Sequence, residues 1–521
     1  MHSDAEGRQQ PDSAGSHTTC DYLVVGGGAA GCIVARRLAD QRQAQVILLE
    51  AGPPDEGDPL ATRLSLLDGQ DASYDWNYTA FPTRRSPSPI RYARARMLGG
   101  CANHNDCAFL APFASDLERW VELGAAGWDA VNVASSLMRV EESLHIESSP
   151  PGTVLSRAFI DTAVNLGLEE HNFRDYQGPG CGWFPLNALG DLRQSSSIAY
   201  LHPLAESPDN LRVLTEVKAQ RLIIENRIAK GVQTSLGAIW AKREIILCTG
   251  SINTPKLLML SGVGPATHLQ EMDIPVVHNL PGVGQNLTDH VAANIACELK
   301  TPCPPWDRTP CEATALIKLD PSSPAPEVLF HFVLTLREKH LGRTFFGDQT
   351  RGIKISPNVT RPRSRGNVCL GGSDPDLPPV IDLNYLSDPG GHDQRILLQG
   401  LRFARKLAAE RPLSQWIERE IYPGPDVQTD QELRAAALES CETVYHPAGT
   451  CRMGAAGDPG SVVTPDLKVK GLHQLRIADA SVFPDMVTVN ICNTVMMVAE
   501  KAAELICGPF EPGQDRKTPT V

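Results

Sequence analysis

The segment that most constrains this chain is Gly26-Gly27-Gly28-Ala29-Ala30-Gly31. It follows the apolar run Tyr22-Leu23-Val24-Val25 and opens a stretch with helical apolar spacing at Ala30, Ile33, Val34 and Leu38. Glycine at 26, 28 and 31 permits a tight turn, close approach of backbone N–H groups to a pyrophosphate, and close packing of helix on strand. Gln45 to Leu49 reads as a second strand, so the segment predicts a βαβ unit with phosphate at the helix N-terminus, against Gly26, Gly28, Ala29, Ala30 and Gly31. Glu50 closes the second strand about 20 residues after the glycines, where a carboxylate accepts ribose hydroxyls. Glu50 and the adjacent Ala51 are therefore expected nucleotide contacts. An acid here suits a free 2′-hydroxyl, as in NAD or the adenosine half of FAD, and does not choose between them.

Two further strand-then-helix units lie far downstream. Glu244 to Cys248 leads through Thr-Gly into an apolar helical stretch from Thr254 to Leu260, and Leu475 to Ala478 precedes a helix pattern from Asn493 to Ile506. Units so widely separated imply one sheet assembled discontinuously. A chain of 521 residues is also too long for one compact core. The expected architecture is an α/β FAD-binding, Rossmann-like domain built from 20–142, 190–297 and 444–510. An interleaved α+β substrate domain is expected from 143–189 and 298–443, with a disordered leader at 1–19 and a flexible tail at 511–521.

Lys and Arg number 48 against 61 Asp and Glu, a net charge of −13 that argues against nucleic acid as a partner. No apolar run is long enough for a transmembrane helix, and the polar leader lacks the apolar centre of a signal peptide. The 14 cysteines show no metal-binding or disulfide spacing and read as reduced thiols of a cytoplasmic protein.

Four more segments carry a resemblance. They are Arg96-Met-Leu-Gly-Gly-Cys-Ala-Asn-His-Asn105, the run from Gly250 to Gly264, Tyr445-His-Pro-Ala-Gly-Thr450 and Ile477-Ala-Asp-Ala-Ser481. Together they resemble the glucose–methanol–choline (GMC) oxidoreductases over about Asp21 to Ile506. The segments Thr443 to His446, Val487 to Asn490 and Thr494 to Met497 bring the chain nearest to the choline oxidase branch.

The resemblance implies the GMC fold and FAD, not NAD. It implies that His446 is the active-site base. An alcohol's hydroxyl is too weak an acid to ionise unaided at neutral pH, and imidazole titrates in the right range to take its proton. Asn490 falls where the family carries a second His or an Asn, able to donate to the substrate oxygen as charge develops there. A helix cap is its other reading. His104 lies where choline oxidases attach FAD covalently. Trp76, Gly100, Cys101, Asn105, Ala219, Tyr445, Asp479 and Ala480 fall at further FAD-contact positions, with Tyr445 also on the substrate side. Glu312 aligns with a carboxylate directed at a substrate ammonium.

The chain departs from that branch in three places. Arg63 to Ala72 lacks a Trp before Tyr-Asp-Trp, Asp106 replaces a small hydroxyl residue, and 143–189 lacks a His-Gly-x-x-Gly-Pro element. The expected activity is oxidation of a primary alcohol, choline or another small amino alcohol first, to the aldehyde and onward to the acid. Molecular oxygen is the expected acceptor. The alternatives are a dehydrogenase using a quinone or dye acceptor and a non-redox hydroxynitrile lyase on the same fold. The expected partners are a small-molecule alcohol and oxygen or another electron acceptor, with a homodimer allowed and neither nucleic acid nor membrane.

Overall fold

A computed structural model describes residues 18–41, 43–69, 74–83, 89–147, 152–306, 308–335 and 351–510. The expected tail, and all but the last two residues of the expected leader, lie outside these.

The predicted βαβ unit forms from the strand Thr18–Val25, the helix Gly31–Asp40 and the strand Val46–Leu49. The two strands pair in parallel, and Ile33, Val34 and Leu38 pack their helix onto the sheet with no exposure. The strand Leu211–Leu214 adds in parallel to the outer edge. On the other side lies Gly237–Leu247, parallel to Thr18–Val25 and followed by the antiparallel strands Ile228–Thr234 and Ala219–Glu225. Leu475–Ile477 pairs in parallel with Gly237–Leu247, so strands from three separated regions make one sheet of seven. Its faces are covered by helices, among them Cys492–Cys507, which packs against Gly31–Asp40.

A second sheet of eight strands is largely antiparallel. Its main path runs Ile417–Tyr422, Ile295–Leu299, Gly352–Val359, Val328–Val333, Cys311–Ile317 and Gly180–Trp183. Val291–Ala292 joins it through Gly352–Val359 and pairs with Glu442–Thr443. After Gly180–Trp183, the second sheet resumes at Val291, earlier than the expected boundary at 297, and ends on the segment that carries His446. Helix His392–Ala409 packs against its outer face through Ile396, Leu397 and Leu401. Among the described residues no helix is long and apolar enough to cross a membrane.

Candidate active site

A cavity of about 420 Å³ runs between the two sheets, lined by the glycine-rich turn, Glu50 and Ala51, by His104 and Asn105, and by His446 and Asn490. The three motif glycines meet different demands. Gly26 has φ +102°, and a Cβ on Gly31 would fall 1.8 Å from the Gly26 carbonyl oxygen, so turn and packing forbid a side chain at both. A Cβ on Gly28 would meet only the Gly100 Cα, at 3.9 Å, and would otherwise fill cavity space. Gly28 therefore leaves room for a ligand to approach the backbone.

Glu50 is fixed at the end of its strand. Its two carboxylate oxygens accept from Gly27 N at 2.9 Å and Gly52 N at 2.8 Å. Burial pushes its pKa up to about 7, opposed by these backbone donors. Each oxygen keeps a lone pair for a ribose hydroxyl. Asp479 also lines the cavity, with its oxygens committed to the protein. Oδ2 accepts from Gly250 N at 2.8 Å and Thr254 Oγ1 at 2.6 Å, and Oδ1 accepts from Ser481 N at 2.8 Å. It anchors the N-terminus of helix Gly250–Leu260 against the cavity.

Ala29, Ala30, Trp76, Gly100, Cys101, Ala219, Tyr445 and Ala480 all line the same cavity. His104 ends a short 3-10 turn, Gly100–Asn103, and burial pushes its pKa down to about 4, so its imidazole is neutral.

His446 is held by a network that no sequence motif advertised. Buried Asp289 accepts from the hydroxyls of Tyr92 at 2.8 Å, Tyr385 at 2.6 Å and Thr443 at 2.6 Å, and from the His446 backbone N–H at 2.8 Å. Tyr445 adopts φ +63°, unusual for a residue with a side chain, and its carbonyl accepts from Arg94 Nη2 at 2.8 Å. This strained turn presents His446 to the cavity.

The imidazole of His446 meets that of His290, Nδ1 to Nδ1, at 2.8 Å. His290 Nε2 lies 2.9 Å from the carbonyl oxygens of both Thr360 and Val487, so Nε2 must carry the proton. Burial keeps His290 neutral by pushing its pKa down. Its Nδ1 is then an acceptor, and His446 must donate from its own Nδ1. The remaining nitrogen of His446, Nε2, is left with a bare lone pair on the cavity side. Burial first, then the neighbouring His290, His331 and Arg94, hold the His446 pKa well below the usual imidazole value.

Asn490 also lines the cavity, and its Oδ1 is buried with no hydrogen-bond partner in the protein. It does not cap the following helix. Cys492–Cys507 has Ile491 as its N-cap, with no side-chain hydrogen bond there. An orphaned buried amide aimed into a cavity calls for a ligand. With the space left at Gly28, it fits the residues to a dinucleotide and a polar substrate.

Glu312 is not brought to the site. Its Oε2 accepts from Thr153 N at 2.9 Å, Thr153 Oγ1 at 3.1 Å and Ser156 Oγ at 2.7 Å, at the N-terminus of helix Val154–Asn165. The register with Val328–Val333 shifts between Cys311 and Ala313, leaving Glu312 as the extra residue of a bulge; Cys311 lines the cavity while Glu312 turns to the helix end, where a carboxylate is favoured.

On the wall that carries His446, the cavity is lined by the carboxylate of Glu442, four residues before that imidazole, and it pairs with Lys354. Lys354, Ser356 and His331 come from the second sheet. Lys354 lies opposite Val333, and Ser356 opposite His331, so the pleat turns all four to the cavity. Sequence reading missed Lys354, Glu442, His290 and His331. The adjacent Asp289 and His290, and the lone charge within the apolar run of Gly352–Val359, were the available signals.

Comparison with known proteins agrees with this geometry. The GMC oxidoreductase family matches in two parts, an N-terminal one over residues 20–292 and a C-terminal one over 362–499. Choline oxidase of Arthrobacter globiformis is 38% identical, over 93% of this chain and 94% of that protein. Mitochondrial choline dehydrogenase of Mus musculus is 33% identical, over 94% of this chain and 89% of the other. Among solved structures, a pyridoxine 4-oxidase from Mesorbium loti superposes with a TM-score of 0.85 and 27% identity, covering 93% of this chain and 98% of that one. Two sheets in one interleaved chain, a glycine-rich nucleotide turn and an imidazole on the opposite wall thus go with full-length likeness. The chain belongs to the GMC oxidoreductase family of FAD-dependent enzymes that oxidise alcohols.

Proposed function

We propose that this chain oxidises a small polar primary alcohol to the aldehyde, and through the aldehyde hydrate to the acid, with molecular oxygen as the final acceptor. The observation that carries the reading is the bare Nε2 of His446, fixed by the bond from its Nδ1 to His290. FAD, held by the glycine-rich turn, Glu50 and the wall around His104 and Asn105, supplies the two-electron acceptor that the side chains lack. His446 accepts the substrate's hydroxyl proton at Nε2, and being neutral it is ready to do so. Asn490 turns its amide N–H to the substrate oxygen, an interaction that strengthens as negative charge grows there. His290 keeps the ring in the productive tautomer and orientation.

The similarity to choline oxidase supports an alcohol-oxidising role and makes choline and other small amino alcohols the first members of a test panel. His104, neutral and beside the cavity, is the position we assign to a covalent bond with FAD. Yellow colour that stays with acid-precipitated protein supports that bond, and colour released to the supernatant removes it.

The test is anaerobic addition of an alcohol panel to the purified flavoprotein. Bleaching of the flavin absorbance supports oxidation, whereas a flavin that stays yellow with every alcohol points to a lyase and overturns the reading. Oxygen uptake during turnover, set against reduction of a quinone or dye, identifies the acceptor.

A further inference from the structure

Lys354 and Glu442 sit in the wall of the cavity that holds His446 and Asn490, and neither is used in the proton transfer described above. Lys354 Nζ lies 3.2 Å from Glu442 Oε1, and the two residues are 6% and 8% exposed. Asn294 Nδ2 donates to the same Glu442 oxygen at 2.8 Å, and its own Oδ1 accepts from Ser356 Oγ. The pair therefore has a fixed geometry, braced by the strand Gly352–Val359, by Asn294 in the link between two strands, and by the segment leading to His446. Its net charge is zero, yet it presents a full positive and a full negative end to one small space.

We propose that this ion pair sets the substrate's charge: the site takes a neutral or dipolar primary alcohol and disfavours one with a permanent cationic head. The inference rests on the proposed alcohol oxidation and deepens it by naming the substrate class. A lone cation entering the cavity is drawn to Glu442 but repelled by Lys354, and a lone anion meets the reverse. Neither recovers the hydration it leaves behind. A neutral group with both a donor and an acceptor bridges the two ends without that loss.

The aromatic content of the cavity points the same way. A quaternary ammonium is held by open aromatic faces. Among the described residues the cavity is lined by one Trp and one Tyr, Trp76 and Tyr445. Both already have a cation near the ring. Arg96 and Lys218 lie 5.8 Å and 5.9 Å from the centroid of Trp76, and Arg94 lies 5.9 Å from that of Tyr445. At the substrate end Ala292, Pro310, Cys311, Val333 and Thr335 add neither an aromatic face nor a carboxylate, and the further carboxylate there, Asp106, accepts from Thr309 Oγ1 at 3.1 Å.

The test compares three small primary alcohols on the holoenzyme, by kcat/KM and by the rate of anaerobic flavin bleaching. They are choline, its neutral isostere 3,3-dimethylbutan-1-ol, and 3-hydroxypropanoate. The wild-type protein should favour the neutral alcohol over choline by about tenfold or more, a modest share of what one unscreened charge provides at this range. Lys354→Met, which leaves Glu442 as an uncompensated anion, should reverse the ratio in favour of choline by a similar factor. Glu442→Gln should raise the relative rate with 3-hydroxypropanoate.

A wild-type preference for choline over its isostere overturns the proposal, and so does an unchanged ratio in Lys354→Met. The wild-type ranking decides alone if a variant fails to fold. Bleaching by all three alcohols at equal rates defeats the charge selection and leaves alcohol oxidation standing. No bleaching by any alcohol, in this set or the wider panel, defeats both.

Discussion

The rings of His290 and His446 meet edge to face, with centroids 5.0 Å apart and planes 82° from parallel. This contact joins the second sheet's rim to the reactive wall of the cavity. Because both proton acceptors around His290 Nε2 are backbone carbonyls, the direction of every proton in the pair follows from the main chain.

His290 is a positioning residue, and its removal should act on rate more than on binding. His290→Phe should lower kcat by about tenfold or more while changing KM little, because the tautomer of His446 is no longer fixed. It also removes the Nδ1 acceptor that a protonated His446 would keep, while burial, the largest cause of the depressed His446 pKa, stays, so the acid limb of the rate should move to lower pH. Stopped-flow flavin reduction as a function of pH reads both. A variant with unchanged kcat and an unmoved pH profile contradicts this role.

The pH dependence of the wild-type protein follows from the same shift. His446 must be neutral to accept a proton, and burial holds its pKa well below the ordinary value. The active form therefore persists as pH falls through about 6.5, and activity is lost only under more acid conditions. Flavin reduction should be flat from neutral to mildly acid pH. An inflection above pH 7 that vanishes in His446→Ala contradicts the neutral resting state.

Glu312 separates a stability role from a substrate role. Its carboxylate satisfies the first turn of helix Val154–Asn165 through Thr153 and Ser156. Glu312→Gln should cost about 1 kcal/mol of stability, seen as a lower Tm, and should leave the choline-to-isostere ratio unchanged. A selective loss of amino-alcohol turnover at constant Tm would return this residue to the substrate site.

The contrast between Glu312 and Glu442 shows what the sequence made legible. The glycine-rich turn, its flanking strands and the helices after Thr249 and Asn490 were readable because local spacing dictates them. His446 and Asn490 were readable because they sit in motifs beside those elements. The substrate end was not, since Lys354, His331 and Glu442 come from three strands whose proximity exists only through sheet pairing. Glu312 is one residue from Cys311, which faces the site, and the bulge at that step turns it away from the cavity.

The most direct test of the account is single-turnover flavin reduction by His446→Ala, measured anaerobically with an alcohol that bleaches the wild-type protein. The variant should retain its FAD spectrum and reduce its flavin about 100-fold more slowly, or slower still, with the deficit largest where the wild-type imidazole is fully deprotonated. Flavin reduction at a near-normal rate would contradict His446 as the proton acceptor, and with it the arrangement of His290, Asp289 and Tyr445 built around that ring.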